Sequence, residues 1–275
     1  MAGLHDVIWP FFCECGNVVF VMQEAEAIWL EGVISIEAAL EAQSRDIHAI
    51  FYRQSGRKKR NWQWQALQKR VEAAGIEVQA VDAVFIGERV SGQSHGGVIA
   101  QVGVRRFLAL ADLVAGQERP FIVMLDGVED PFNFGQSLRA LYAAGATGVV
   151  VRPRNWTTAA GVVARASAGA SERLPMAVAE TAEAAADFFS EQGLQVACTS
   201  QETAVSIYET DLTQPMFLLL GGEKRGITRS FLRKADVRLK IPYERPFAQS
   251  LGTTSSTAVI AFERLRQLRM QGRNG

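Results

Sequence analysis

An α/β fold built around a parallel sheet is the class predicted for most of this 275-residue chain. Apolar stretches of strand length alternate with segments of helix length from residue 33 to residue 270. Glycine closes two of the predicted helices, at Gly75 and at Gly193. Several apolar stretches run directly into polar turns, where ligands usually bind in parallel sheets. Regular alternation of this kind places helices on both faces of the sheet.

The composition is that of a globular protein: 48% of the residues are hydrophobic, which is enough for a packed core. Lys+Arg and Asp+Glu both total 29, so a purely electrostatic nucleic-acid binder is disfavoured while local basic patches stay open. Cys13-x-Cys15 lacks a second pair and a nearby histidine, and we expect no metal site. No basic leader precedes the first apolar stretch, and no apolar run approaches the roughly 20 residues of a membrane helix. A cytoplasmic protein without membrane contact is expected.

The predicted elements fall into two groups. A polar segment broken by proline, residues 116–120, marks the expected boundary between an N-terminal domain, 1–115, and a C-terminal domain, 116–275. In the first domain the pattern predicts helices at 33–43 and 62–74 and strands at 47–52, 76–81 and 98–102, with a possible further strand at 17–22. In the second it predicts strands at 121–125, 147–151, 176–179, 194–198, 216–220 and 237–241, and helices at 157–168, 181–192, 228–235 and 253–270.

The turn from Asp126 to Arg139 follows the apolar stretch 121–125 and holds the densest set of reactive groups. Taken singly, Asn133 is explained as a helix N-cap, Gly135 as a small first-turn residue and Arg139 as a surface cation. Two acids, a proline, an asparagine, a glycine and an arginine within 14 residues exceed what a turn requires. This turn is therefore predicted to carry function.

Two further clusters follow predicted strands. Gly221-Gly-Glu-Lys-Arg-Gly226 lacks the glycine spacing and the Lys-Ser/Thr pair of a phosphate-binding P-loop, so a nucleoside triphosphate is not the expected ligand. The last cluster has Ile241-Pro242 and then the segment 250–257 before the final helix, and by itself it is explained as a Ser/Thr-rich N-cap. No Gly-x-Gly-x-x-Gly follows a strand, which disfavours a Rossmann-type metabolic enzyme.

Taken together and in this order, the three clusters resemble the motifs of the TrmH-like branch of the SPOUT superfamily, the RNA ribose 2′-O-methyltransferases. The first motif is matched by Asp130-Pro-x-Asn133-x-Gly-x-x-x-Arg139, and the second by Gly221-x-Glu223-x-x-Gly226. The third is matched by Ile241-Pro and Ser250-Leu, and the resemblance covers residues 118–270. It implies a trefoil-knotted catalytic domain that binds the methyl donor S-adenosylmethionine.

The resemblance also implies roles for single residues. Arg139 would clamp the phosphate beside the target ribose, Asn133 would orient that ribose, and Glu223 would hold Asn133 or Arg139 in place. The expected cofactor-binding residues are Leu220, Gly221, Ile241, Ser250 and Leu251. The family functions as a homodimer, so a homodimer is expected here.

The third motif departs from the family pattern, because Gly252 stands where an asparagine is usual and the segment before it is one residue longer. Thr253 or Thr254 could replace the missing side chain through a hydroxyl. A non-catalytic member that binds RNA or S-adenosylmethionine is therefore the alternative to an enzyme.

The N-terminal domain resembles the ribosomal-protein-L30e-like substrate domain of several family members, through residues 32–39 and 94–98. Because those members mostly modify large ribosomal RNA, rRNA is the expected partner, with tRNA second. A basic run followed by tryptophans can bind RNA through phosphate contacts and base stacking, although a solvated loop is the plain alternative. The candidate RNA-binding residues are Arg57, Lys58, Lys59, Arg60 and Trp62.

Overall fold

The computed structural model describes residues 27–54, 62–90, 95–153, 159–201, 203–222 and 226–272. The first part of the chain forms a four-stranded sheet in the order β1-β4-β2-β3. Its strands are β1 (Ile28–Glu31), β2 (Ile47–Arg53), β3 (Glu77–Val81) and β4 (Val98–Val102), with helices α1 (Val33–Ala42), α2 (Trp62–Ala73) and α3 (Ala83–Gly87). Strand β2 pairs with β3 in parallel, whereas β4 pairs antiparallel with both β1 and β2. This smaller sheet is therefore mixed.

The second sheet has seven strands in the order β7-β6-β5-β10-β8-β11-β9, and every pair is parallel. The prediction of a parallel sheet is confirmed. The strands are β5 (Phe121–Asp126), β6 (Gly148–Val151), β7 (Met176–Val178), β8 (Gln195–Thr199), β9 (Val205–Ser206), β10 (Met216–Gly221) and β11 (Val237–Lys240). The helices are α4 (Pro131–Ala143), α5 (Ala160–Ala166), α6 (Ala170–Arg173), α7 (Ala182–Glu191), α8 (Arg229–Lys234) and α9 (Thr253–Gln271), and a 3-10 turn spans Leu110–Leu113. In the described residues, no helix combines the length and the apolar content that crossing a membrane requires.

Helices cover both faces of the large sheet, as the alternation predicts. On one face, α4, α5 and α9 bury apolar side chains such as Leu138, Val163 and Ile260. On the other, α7 and α8 bury Phe189 and Phe231. The rings of Phe189 and Phe217 stack with centroids 4.9 Å apart. Strands β5 and β10 lie between these two cores. Because both of their faces are buried, their sequences are almost continuously apolar.

Some elements differ from the sequence-based expectation. Strand β1, helices α3 and α6 and strand β9 are not predicted. The last three have only five, four and two residues, too few to show a period. The possible strand at 17–22 lies outside the described residues. The trefoil knot stays a prediction.

The small sheet packs against the α5–α6 segment of the large one. Ala160 and Ala164 of α5 belong to the same apolar core as Leu30 of β1. A Cβ on Gly161 would lie 2.8 Å from the carbonyl oxygen of Trp29, and one on Gly169 would lie 2.8 Å from the Ala38 Cβ. Because any side chain larger than hydrogen would push the two surfaces apart, these glycines permit the close approach.

A buried ionic cluster centred on Glu172 joins the same two surfaces. Its carboxylate accepts a hydrogen bond from Ser44 Oγ at 2.6 Å and from Arg45 Nε at 2.9 Å. Arg105 donates from Nη1 to the same carboxylate at 3.3 Å and from Nη2 to the Leu174 carbonyl oxygen at 2.7 Å. Burial alone would raise the pKa of Glu172, but the two guanidinium groups hold it below its ordinary value. Burial also lowers the pKa of Arg105, to about 10, so at neutral pH it stays charged.

Candidate active site

The turn after β5 is built by Asp130 and Pro131. The Asp130 carboxylate accepts from the backbone N–H groups of Phe132 at 3.1 Å and of Asn133 at 3.3 Å, and Pro131 occupies the first turn of α4. Asp130 is therefore the N-cap of α4. The simple explanation of Asn133 as the helix cap is wrong, and its side chain is not needed for that role.

The turns after β5 and β10 are in close backbone contact. Gly222 donates its N–H to the Asp126 carbonyl oxygen at 2.6 Å. A Cβ on Gly222 would lie 2.0 Å from the carbonyl oxygen of Gly127, whose φ of 77° is in the left-handed region. The first and second sequence clusters therefore meet through backbone contacts, at the carboxyl edge of two adjacent strands.

Beside this contact lies a cavity of about 380 Å³, at the carboxyl ends of β8, β10 and β11. All five expected cofactor-binding residues line it: Leu220, Gly221, Ile241, Ser250 and Leu251. They come from two segments 20 residues apart in sequence, 220–221 and 241–251, which the parallel order of the strands brings together. The structure thus brings the five residues to one cavity, and their role in binding the cofactor stays a prediction.

Helix α9 connects this cavity to the first cluster. The Thr254 hydroxyl donates to the carbonyl oxygen of Asn133 at 3.2 Å, and Thr253 Oγ1 lies 3.5 Å from the Gly221 carbonyl oxygen. Gly252 is the N-cap of α9 and makes no side-chain capping bond. The two threonines after Gly252 thus contact both other motifs, and the replacement of the missing asparagine by one of their hydroxyls stays a prediction.

The expected catalytic residues are placed as follows. Asn133 and Arg139 lie in the first and third turns of α4, outside the cavity wall. Arg139 is exposed, and it makes no hydrogen bond or ion pair with any part of the chain that the structure describes. Glu223 lies outside the described residues. So do four of the candidate RNA-binding residues, Arg57, Lys58, Lys59 and Arg60, and the side chain of Trp62, whose backbone begins α2.

Several residues at this edge were not anticipated. Thr199 ends β8, and it lines the cavity together with Ser200, Gln201 and Tyr243. Arg152 follows β6 and donates from Nη2 to Asp126 at 2.9 Å. Each lies within three residues of the end of a predicted strand, so the position of ligand sites at the carboxyl edge of a parallel sheet is the signal that indicates them.

Residues 120–262 match the SpoU rRNA Methylase family, and this span is more than half of the chain. The chain belongs to the SpoU rRNA methylase family.

Relatives of this SpoU methylase match it over most of its length. The 23S rRNA (guanosine-2′-O-)-methyltransferase RlmB of Xanthomonas campestris pv. campestris is 32% identical over 246 residues, covering 87% of this chain and 96% of that protein. The protein of the same name from Shewanella oneidensis is 28% identical over 241 residues, covering 86% and 96%. The crystal structure of an AdoMet-bound rRNA methyltransferase from Sinorhizobium meliloti superposes with a TM-score of 0.70 at 26% identity, covering 88% of each chain.

Proposed function

We propose that this SpoU methylase transfers a methyl group from S-adenosylmethionine to a ribose 2′-hydroxyl of ribosomal RNA. The observation that carries the proposal is the cavity at the carboxyl edge of β8, β10 and β11, whose wall contains all five expected cofactor-binding residues. It lies in a family member whose relatives are named as 23S rRNA 2′-O-methyltransferases.

The residues present fit this cofactor. A volume of about 380 Å³ suits a nucleoside joined to an amino acid, within the usual range of roughly 300–1,000 Å³ for small-molecule sites. The wall combines leucine and isoleucine side chains, which suit a flat base, with glycine backbone and serine or threonine hydroxyls, which suit a sugar. Among the described lining residues Lys240 is the one charged side chain. Leu220, Gly221, Ile241, Ser250 and Leu251 would hold the cofactor.

For this reaction the main task of the protein is to position the cofactor and the ribose relative to each other. The bound cofactor supplies a methyl group activated by a sulfonium centre. A ribose 2′-hydroxyl would approach this methyl group, its oxygen would displace S-adenosylhomocysteine as the methyl–sulfur bond breaks, and its proton would pass to water. The Arg139 guanidinium is positively charged and has only hydrogen-bond donors, so it cannot take up this proton. We assign it to the phosphate beside the target ribose, where its positive charge would lower the pKa of the 2′-hydroxyl. Asn133 would orient the ribose, and Glu223 would hold Asn133 or Arg139 in place.

Ribosomal RNA is proposed over tRNA because the two relatives carry 23S rRNA in their names. The first 115 residues would form an L30e-like substrate-binding domain, with Arg57, Lys58, Lys59 and Arg60 on phosphates and Trp62 stacking on a base. An rRNA substrate fits the cytoplasmic location expected from the sequence.

A homodimer is proposed from the surface of α4 and α9. These helices pack together, and large apolar side chains on them stay exposed: Phe132 51%, Tyr142 46%, Phe262 47% and Met270 52%. A contiguous apolar patch built from such side chains would be typical of a protein–protein interface. Sedimentation at micromolar concentration is expected to show a dimer, and a monomer that still methylates RNA would contradict the proposal.

The decisive test uses S-adenosylmethionine with a labelled methyl group and 23S rRNA transcribed in vitro, with transcribed tRNA as the control. Label is expected in 23S rRNA, in dinucleotides that survive alkali, because a 2′-O-methyl group blocks hydrolysis of the adjacent phosphodiester. Binding of S-adenosylmethionine without transfer to either RNA would favour the non-catalytic alternative raised by Gly252.

A further inference from the structure

The segment between β11 and α9, residues 241–252, forms one wall of the cavity and contains neither helix nor strand. Residues 244–250 are all exposed. Within the described chain, no backbone–backbone hydrogen bond joins two residues of this segment. A wall of this kind has little to fix its shape, because a loop is ordered by the bonds and contacts that offset its conformational entropy.

Tyr243 supplies the missing connection. Its hydroxyl accepts a hydrogen bond from the Leu251 N–H at 2.9 Å and so ties the start of the segment to its end. Its ring contacts that of Phe247 at a centroid distance of 6.0 Å, although Phe247 is 60% exposed. Tyr243 itself lines the cavity beside Ile241 and Leu251. One side chain therefore contacts the middle and the end of the segment.

We propose that Tyr243 is a positioning residue that fixes the 241–252 segment in the shape the methyl donor requires. The inference rests on the proposed binding of S-adenosylmethionine in this cavity. Gly252 has no side chain that could hold the end of the segment in place, so the Tyr243 hydroxyl fixes the backbone there through its bond to the Leu251 N–H. Without it, the Leu251 N–H loses its acceptor and the segment becomes free to adopt other conformations, which binding would then have to restrict.

The test compares Tyr243→Phe, which removes only the hydroxyl, with Tyr208→Phe, a matched change at a tyrosine that is 55% exposed and away from the cavity wall. Calorimetric titration with S-adenosylmethionine and with S-adenosylhomocysteine is expected to show affinity weakened about fivefold in Tyr243→Phe, the size of one lost hydrogen bond. The KM for S-adenosylmethionine should rise by a similar factor while the KM for RNA stays within about twofold. Thermal unfolding of both variants should match the wild type.

Hydrogen exchange provides a second measurement that needs no ligand. Peptides covering residues 244–252 should exchange faster in Tyr243→Phe than in the wild type or in Tyr208→Phe. Equal exchange, or equal or tighter binding of the cofactor by Tyr243→Phe, overturns the inference and leaves the proposed function intact. A wild-type protein that binds neither ligand overturns the proposed function and this inference with it.

Discussion

Replacing Arg139 by alanine is expected to lower methyl transfer to RNA by roughly 10²–10³-fold, the usual effect of removing a charged group that stabilises a transition state. Because Arg139 lies outside the cavity wall, the affinity for S-adenosylmethionine should stay unchanged. Because it is exposed and makes no bond within the described part of the chain, the stability of the fold should change by less than about 0.5 kcal/mol. Single-turnover kinetics with labelled cofactor measure the first quantity, and calorimetry and denaturation measure the others.

Two further variants sharpen the interpretation of Arg139. Arg139→Lys keeps the charge but loses the planar, two-pronged contact to a phosphate, so an intermediate rate is expected. Arg233→Ala removes an exposed arginine near the end of α8 and should leave the rate unchanged. A rate near that of the wild type in Arg139→Ala would exclude Arg139 from the reaction.

Replacing Glu172 by glutamine is expected to lower the free energy of unfolding by about 3–5 kcal/mol, since it leaves buried guanidinium groups without a counter-charge. The side chains of Arg45 and Arg105 are only 6% and 8% exposed, and that of Glu172 is 1% exposed. The glutamine keeps the size of the side chain, so the loss reports the charge and not a cavity. Urea denaturation at neutral pH measures the difference.

The control for this prediction is Glu37→Gln, which breaks an ion pair between exposed side chains, Arg70 and Glu37 at 43% and 36% exposure. A surface pair contributes at most about 1 kcal/mol, so little change is expected. The advantage of the wild type over Glu172→Gln should also depend on pH. The folded pKa of Glu172 is depressed, so this stability is present above the unfolded pKa and is lost as the pH falls through the lower folded value. A difference below 1 kcal/mol at neutral pH would contradict the structural role.

The parts of the fold that the sequence predicted are those encoded locally. Strand β10 is an unbroken apolar run, and Thr181 and Thr228 cap α7 and α8 with their own hydroxyls. The cavity residues were grouped by the resemblance to the RNA ribose 2′-O-methyltransferases. The parallel sheet explains why Gly221 and Ile241 lie together, because its strands end at the same edge.

The packing of the two sheets could not be predicted in this way. Glu172 lies 127 residues from Arg45 and 67 residues from Arg105 in sequence, and in isolation it is an ordinary helical acid. Tyr243 is closer to its partner, but the hydrogen bond depends on the path of an irregular segment. Such contacts follow from the fold and leave no local pattern.

Helix α9 shows a further limit. The sequence predicts that Ala258, Phe262 and Leu265 form one apolar face of this helix. They are half-buried or exposed, while Thr257, Ile260, Ala261 and Arg264 are buried. The helix has apolar residues on more than one side, so periodicity alone does not select the inward face. The guanidinium of Arg264, 4.8 Å from the Phe121 ring, lies on the side that a hydrophobicity pattern would turn outward.

The glycines of the α5–α6 segment limit how this protein can be recombined with its relatives. Consider a chimera that keeps the N-terminal sheet but takes the seven-stranded sheet and its helices from another protein. The N-terminal sheet would no longer pack closely against α5 and α6 unless positions 161 and 169 remain glycine and position 172 remains acidic. The parts that have to be transferred together are therefore not contiguous in sequence. It comprises the first sheet and two short helices that follow it by more than 50 residues of chain.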